Sequence, residues 1–152
     1  MLTSSRLKSL LDYDPDTGVF FWKRGKIAGT PDKDGYIQIQ IDGKIYKAHR
    51  LAFLFQNGSF PTGQVDHKNM EPADNRFCNL RNATPSENRA NEKGWRLGLK
   101  GVWLCRCTNR FRAAVQKHGR RIDLGRFDTE QEAHEAYVNK AKELFGEFAR
   151  AA

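Results

Sequence analysis

At 152 residues the chain can hold one ordinary domain or two small ones, and its motifs fall into two small modules. A formal net charge of +8, from 26 Lys and Arg against 18 Asp and Glu, favours a polyanionic partner through counterion release, with nucleic acid the leading candidate. A membrane role is not expected, because no apolar run nears about 18 residues and neither end carries an amphipathic Lys-rich helix. The start, MLTSSRLKSLLDYD, lacks the apolar core and cleavage site of a secretory leader, so a cytoplasmic location is expected.

In chain order, Leu7, Leu10 and Leu11 have helical spacing before the turn former Asp14-Pro15-Asp16-Thr17-Gly18. Val19-Phe20-Phe21-Trp22 then reads as a short strand. Tyr36 to Ile41 alternates apolar and polar residues, Asp42-Gly43 is a hairpin turn, and Lys44 to Lys47 returns as the partner strand. His49 to Asn57 is rich in Leu, Ala and Phe and is followed by Gly58, the residue type found just past a helix end. A helix there would bury Leu51, Phe53, Leu54 and Phe55. From Gln64 the pattern gives a short strand, a polar loop, a second short strand around Asn79 to Ala83, and a helix from near Ser86, introduced by Thr84-Pro85-Ser86-Glu87.

Residues 92–100, with two glycines and no regular period, read as a linker between a module at 1–91 and another at 101–152. The second module reads as three strands, Gly101 to Cys107, Arg112 to Lys117 and Arg121 to Gly125, and one helix opened by the capping box Thr129-Glu130-Gln131-Glu132. The three cysteines, Cys78, Cys105 and Cys107, form no Cys-x-x-Cys pair, so no structural zinc is expected. Cys105 and Cys107 alternate within a strand and read as two reduced thiols on one face.

The segment from Val65 to Asn91, VDHKNMEPADNRFCNLRNATPSENRAN, carries the chemistry. Phosphodiester hydrolysis needs an activated water, a group to take its proton, and positive charge on the phosphate and leaving oxygen. The Asp66 carboxylate and the Asn88 amide oxygen suit one hard divalent ion, Mg²⁺ or Mn²⁺, and His67 suits the general base because neutral imidazole accepts a proton near pH 7. Adjacent strand residues point to opposite sides, which would set ligand and base on different sides of one phosphate. Asn79, whose amide donates and accepts together, is read as tying the intervening loop. Asp66, Asn69, Asp74, Asn75 and Asn79 are each common turn formers, so the reading rests on the set in this order.

Ala48-His49-Arg50-Leu51-Ala52, Val65-Asp66-His67, and Asp74-Asn75-Arg76 through Asn79-Leu80-Arg81 resemble an HNH homing endonuclease of the phage type, over roughly residues 1 to 95. The resemblance implies an α+β protein with a ββα-metal (HNH, His-Me finger) nuclease module, one divalent ion, and cleavage to 5′-phosphate and 3′-hydroxyl ends. It would place the protein in the host cytosol if phage-encoded. Carried over by motif, Asp66 and Asn88 match the metal ligands, His67 the base and Asn79 the middle Asn, with Asn91 an alternative to Asn88. His49, Arg50 and Arg76 are candidates for phosphate or metal contact, against structural or solvated roles. Met70 stands where such sequences commonly have glycine, which leaves the loop conformation open.

Between Lys93 and Arg126 the cations Lys93, Arg96, Lys100, Arg106, Arg110, Arg112, Lys117, Arg120, Arg121 and Arg126 meet one acid, Asp123. Alternation sets Arg112, Ala114 and Gln116 on one face and Ala113 and Val115 on the other, toward the helix. With Trp103 and Phe111 interleaved, the basic face suits double-stranded DNA. Gly101-Val102-Trp103, Phe111 to Val115, and Leu124 through Ala133 to Tyr137 resemble an APETALA-two/ethylene-response-factor-type domain, running to about Phe148. That resemblance implies a small three-stranded antiparallel sheet packed on one helix and lying in the major groove, with Trp103, Cys105, Arg112, Ala114, Gln116, Arg121 and Asp123 outward. Arg106, Arg110 and Arg120 join Trp103, Arg112, Gln116 and Arg121 as candidate DNA contacts.

The expected function is a site-specific, divalent-metal-dependent DNA endonuclease, and the alternative is a non-catalytic sequence-specific DNA-binding regulator. A monomer with one metal site would nick or cut sequentially, whereas a dimer assembled on DNA could address both strands.

Overall fold

The computed structural model describes residues 2–92 and 99–150. Residues 93–98 of the expected linker, with Lys93 and Arg96, lie outside them. The chain divides into two compact units, Met1–Ala83 and Thr84–Ala152. Both mix helices with small antiparallel sheets, the α+β class that the sequence implies.

In the first unit, α1 (Ser4–Leu10) is capped by the Thr3 hydroxyl, which accepts from the Arg6 amide at 3.2 Å. Leu11 leaves the helix despite its spacing, because Leu11 and Tyr13 alternate inward along strand β1 (Leu11–Tyr13), paired with β2 (Phe20–Trp22). Two short strands unmarked in the sequence follow, β3 (Ile27–Ala28) on β2 and β4 (Thr30–Pro31) on β5 (Ile37–Ile41). Two residues each are too few for a period to register. The hairpin of β5 with β6 (Lys44–Lys47) turns at Asp42 and Gly43, with φ of 48° and 75°, the doubly positive pattern that an Asp-Gly turn favours. Helix α2 (Ala48–Asn57) ends at Gly58, in the left-handed conformation. It buries Leu51, Phe53 and Leu54 against Leu7, Leu11, Phe20, Ile39 and Ile41, with Phe55 half-buried at the margin. Strands β7 (Gln64–His67) and β8 (Leu80–Ala83) then form a separate two-stranded sheet.

In the second unit, α3 (Pro85–Asn91) opens with a Thr84–Glu87 capping box. Strands β9 (Val102–Cys105), β10 (Arg110–Lys117) and β11 (Arg120–Phe127) form one antiparallel sheet in the order β11-β10-β9. It packs on α4 (Glu130–Phe145), whose capping box is the one legible at Thr129 and Glu132. Ala113 and Val115 are buried against Ala133, Tyr137 and Ala141. A Cβ on Gly101 would lie 2.0 Å from the Tyr137 ring, so glycine there lets the sheet sit on the helix. Strand β11 runs past Gly125, where the register with β10 slips at a bulge.

Helix α3 groups with this second unit. His118 donates its backbone N–H to Ser86 Oγ at 2.9 Å, and Ala90 is buried in the same core as Ala113. The Lys100 ammonium donates to the carbonyls of Ala90 at 2.7 Å and Glu92 at 2.6 Å, placing a cation on the negative end of the helix.

Candidate active site

The β7–β8 register sets Asp66 opposite Arg81 and His67 opposite Leu80. Arg81 Nε donates to Asp66 Oδ2 at 2.7 Å, and the two side chains are 10% and 5% exposed. A guanidinium this close and this buried keeps a carboxylate tolerable away from water. His67 is itself 5% exposed.

The loop between the strands is held by its own polar side chains. Asn79 Oδ1 accepts from the Asn69 amide at 3.1 Å, while its Nδ2 donates to Asn69 Oδ1 at 2.9 Å and to the Asp74 carbonyl at 3.0 Å. This bonding holds Phe77–Asn79 as a single 3-10 turn, so the second strand starts at Leu80, where the sequence suggested Asn79. Met70 takes φ 61° and donates its N–H to the His67 carbonyl at 2.9 Å. The chain therefore adopts the glycine conformation without glycine, at a cost on the order of 1 kcal/mol.

The loop is braced from the first strands. Tyr13 Oη donates to the Asn75 carbonyl at 2.7 Å, and Phe77 N–H donates to the Pro15 carbonyl at 2.9 Å. Gly18 comes so close that a Cβ would lie 2.4 Å from Arg76 N. The Asp-Pro-Asp-Thr-Gly turn is thus part of the site's support.

Two aromatic neighbours close over His67. The His49 ring from α2 stands edge-on to it, centroids 5.1 Å apart at 88°, and Tyr36 lies 5.4 Å from His49 and 5.9 Å from His67. Burial pulls the His67 pKa below its ordinary value, opposed by the Asn75 side chain and by Asp66 and Asp74. Burial, with His67 and Arg50 as further causes, takes His49 down to about 3. Both rings are therefore neutral near pH 7. The folded state rejects a proton on His49 that the unfolded chain accepts near 6.5, so acid erodes stability from about pH 6.5 downward. Between pH 6.5 and 4, unfolding of wild type should lose up to about 1.4 kcal/mol per pH unit more than a His49→Phe variant does. Parallel curves in urea titrations would remove His49 as the cause.

Arg50 donates to the carbonyls of Gly63 at 3.1 Å and Pro61 at 3.3 Å, clamping the connection from α2 to β7. Arg76 forks onto Asp74 at 2.8 and 2.6 Å and holds that carboxyl well below its usual range. Asn88, half-buried, and Asn91, buried, lie on α3 in the second unit. Sequence reasoning gave no role to Arg81 or Tyr36, and read Asn75 only as a turn former within the motif. The signal for Arg81 was present, since folding the hairpin on its polar loop sets it directly across from Asp66.

Residues 46–90 match the family model described as HNH endonuclease. A curated protein of Acanthamoeba polyphaga mimivirus, described as an uncharacterized HNH endonuclease, is 34% identical over 140 residues, covering 91% of this chain and 70% of that protein. The chain belongs to the HNH endonuclease family. It is by that membership an enzyme of the nuclease class, and HNH nucleases use a divalent metal. The HNH homing endonuclease I-HmuI, solved in a study of its DNA binding and cleavage, is 30% identical, with a TM-score of 0.45. That match covers 54% of this chain and 51% of the other, so the chain spans about half the length of that protein. The HNH match takes in α2, β7 and β8, the elements that carry His49, Asp66 and His67.

On the second unit, the outward side of the sheet carries a cationic cluster on an aromatic ring. The Arg121 guanidinium lies 4.3 Å from the Trp103 ring centre and that of Arg112 5.7 Å, with Arg112 also paired to Asp123. Arg110 bonds Asp128 at 2.9 Å, and Gln116 accepts from Arg89 at 3.4 Å. Arg106 and Arg120 are exposed. No helix among the described residues is long and apolar enough to cross a membrane.

Proposed function

We propose that this HNH protein is a site-specific, divalent-metal-dependent DNA endonuclease of the homing type, hydrolysing phosphodiesters to 5′-phosphate and 3′-hydroxyl ends. The observation that carries the reading is the buried Asp66–His67 pair on β7, with Asp66 held by Arg81. Asp66 offers a hard oxygen donor, and the lowered pKa values of His49 and His67 keep protonated rings from opposing a cation beside it. Those features fit Mg²⁺ or Mn²⁺. Such an ion, when bound, neutralises charge on the phosphate and the leaving oxygen. His67 accepts the proton of the attacking water through its neutral ring. Arg81 fixes the Asp66 carboxylate, and Asn79 fixes the loop that joins the two strands.

The second unit supplies the address. Its sheet would present Trp103, Arg106, Arg110, Arg112, Gln116, Arg120 and Arg121 to duplex DNA, in the manner implied by the resemblance to the APETALA-two/ethylene-response-factor type. Arg121→Ala should weaken DNA binding on the order of 10-fold and flatten its salt dependence. Asp66→Ala should abolish cleavage and leave that binding intact. Fluorescence anisotropy on both variants separates the roles, and equal affinity of Arg121→Ala and wild type would refute the sheet assignment.

A further inference from the structure

We propose that Cys105 and Cys107 form a thiol oxidation site, which a small-molecule disulfide converts to an intrachain disulfide closing a ring around Arg106. Cys105 ends β9, and Cys107 lies in the turn toward β10, an arrangement that departs from the single strand expected over both. The turn brings the two sulfurs to 3.0 Å. A disulfide needs about 2.0 Å, so closure asks for a shift on the order of 1 Å, within reach of side-chain rotation in an exposed turn. The turn carries Asn109 at φ 50° and is closed by the Thr108 N–H donating to the Cys105 carbonyl at 3.2 Å.

The two thiols are unequal. Hydrogen bonds from the Cys107 and Thr108 side chains hold the Cys105 thiol at about 7, and the same contact raises Cys107. Cys105 is then the attacking sulfur and Cys107 the resolving one. In the first step the Cys105 thiolate attacks a disulfide R–S–S–R, the S–S bond breaks, and one RS⁻ leaves. In the second, Cys107 loses its proton and attacks the Cys105 sulfur, expelling the second RS⁻. The protein's two thiols are oxidised by two electrons and the small disulfide is reduced to two thiols. Arg106 sits between the two cysteines, so oxidation constrains the backbone that presents a proposed DNA contact. The thiol chemistry itself does not depend on the nuclease reading, so either can fail alone.

The test is exposure of the full chain to glutathione disulfide near pH 7.5, followed by intact mass and peptide mapping. Wild type should lose two hydrogens with the link mapped to Cys105 and Cys107. Cys107→Ser should stop with one glutathione on Cys105 and form no intrachain link, while Cys78, an exposed thiol on the first unit, takes no part in the wild-type link. Even modification of all three wild-type cysteines with no link between Cys105 and Cys107, or a Cys107→Ser protein that takes no glutathione on Cys105, overturns the proposal.

Discussion

His67→Ala is expected to lower the turnover of DNA cleavage by about 10²- to 10⁴-fold, the range associated with loss of a positioned general base. DNA affinity should stay unchanged, because the proposed DNA-contacting side chains lie on the sheet of the second unit. The ring is buried, so the variant opens a small void beside His49 and Tyr36. His67→Gln, which fills more of that space with a group that cannot act as base near pH 7, should be as inactive and closer to wild type in stability. Two inactive variants of unequal stability would locate the effect in chemistry. Cleavage in His67→Gln within a few-fold of wild type would remove His67 from the mechanism.

The second large effect is structural. Arg81→Met should destabilise the protein by about 3–5 kcal/mol, because it strips the guanidinium from a carboxylate only 5% exposed. Much of the loss belongs to the carboxylate left behind, so adding Asp66→Leu should restore a large part of the stability while leaving the protein inactive. Urea unfolding of wild type, single and double variants gives the comparison. A double variant no more stable than Arg81→Met would mean that Arg81 acts through something other than Asp66.

The local alphabet of the fold was legible where one rule governed it. The Asp42-Gly43 hairpin, the Gly58 helix end and the capping box at Thr129 each follow from a few adjacent residues, and all are present. What escaped was set by contacts distant in sequence. Leu11 has helical spacing yet joins β1, because its partner strand begins at Phe20. Cys107 has strand alternation but falls in a turn. In the site, Asp66, His67 and Asn79 stood out by type and order. The roles of Arg81 and Tyr36 did not, since an arginine and a tyrosine gain meaning only once the hairpin closes and α2 lays His49 against His67. Met70 shows the same limit in reverse, because the fold imposes a positive φ that its side chain does not favour.

The most direct test of the account maps the ends left on DNA. Wild-type protein and a supercoiled plasmid library carrying randomised inserts would be incubated with Mg²⁺, with Mn²⁺ and with chelator, and the products sequenced by methods that register 5′-phosphate and 3′-hydroxyl ends separately. Metal-dependent breaks at a defined sequence, ending in 5′-phosphate and 3′-hydroxyl and absent from both the chelated reaction and His67→Ala, are the predicted result. DNA that is bound yet intact under both metals, or breaks that persist in chelator, would contradict it.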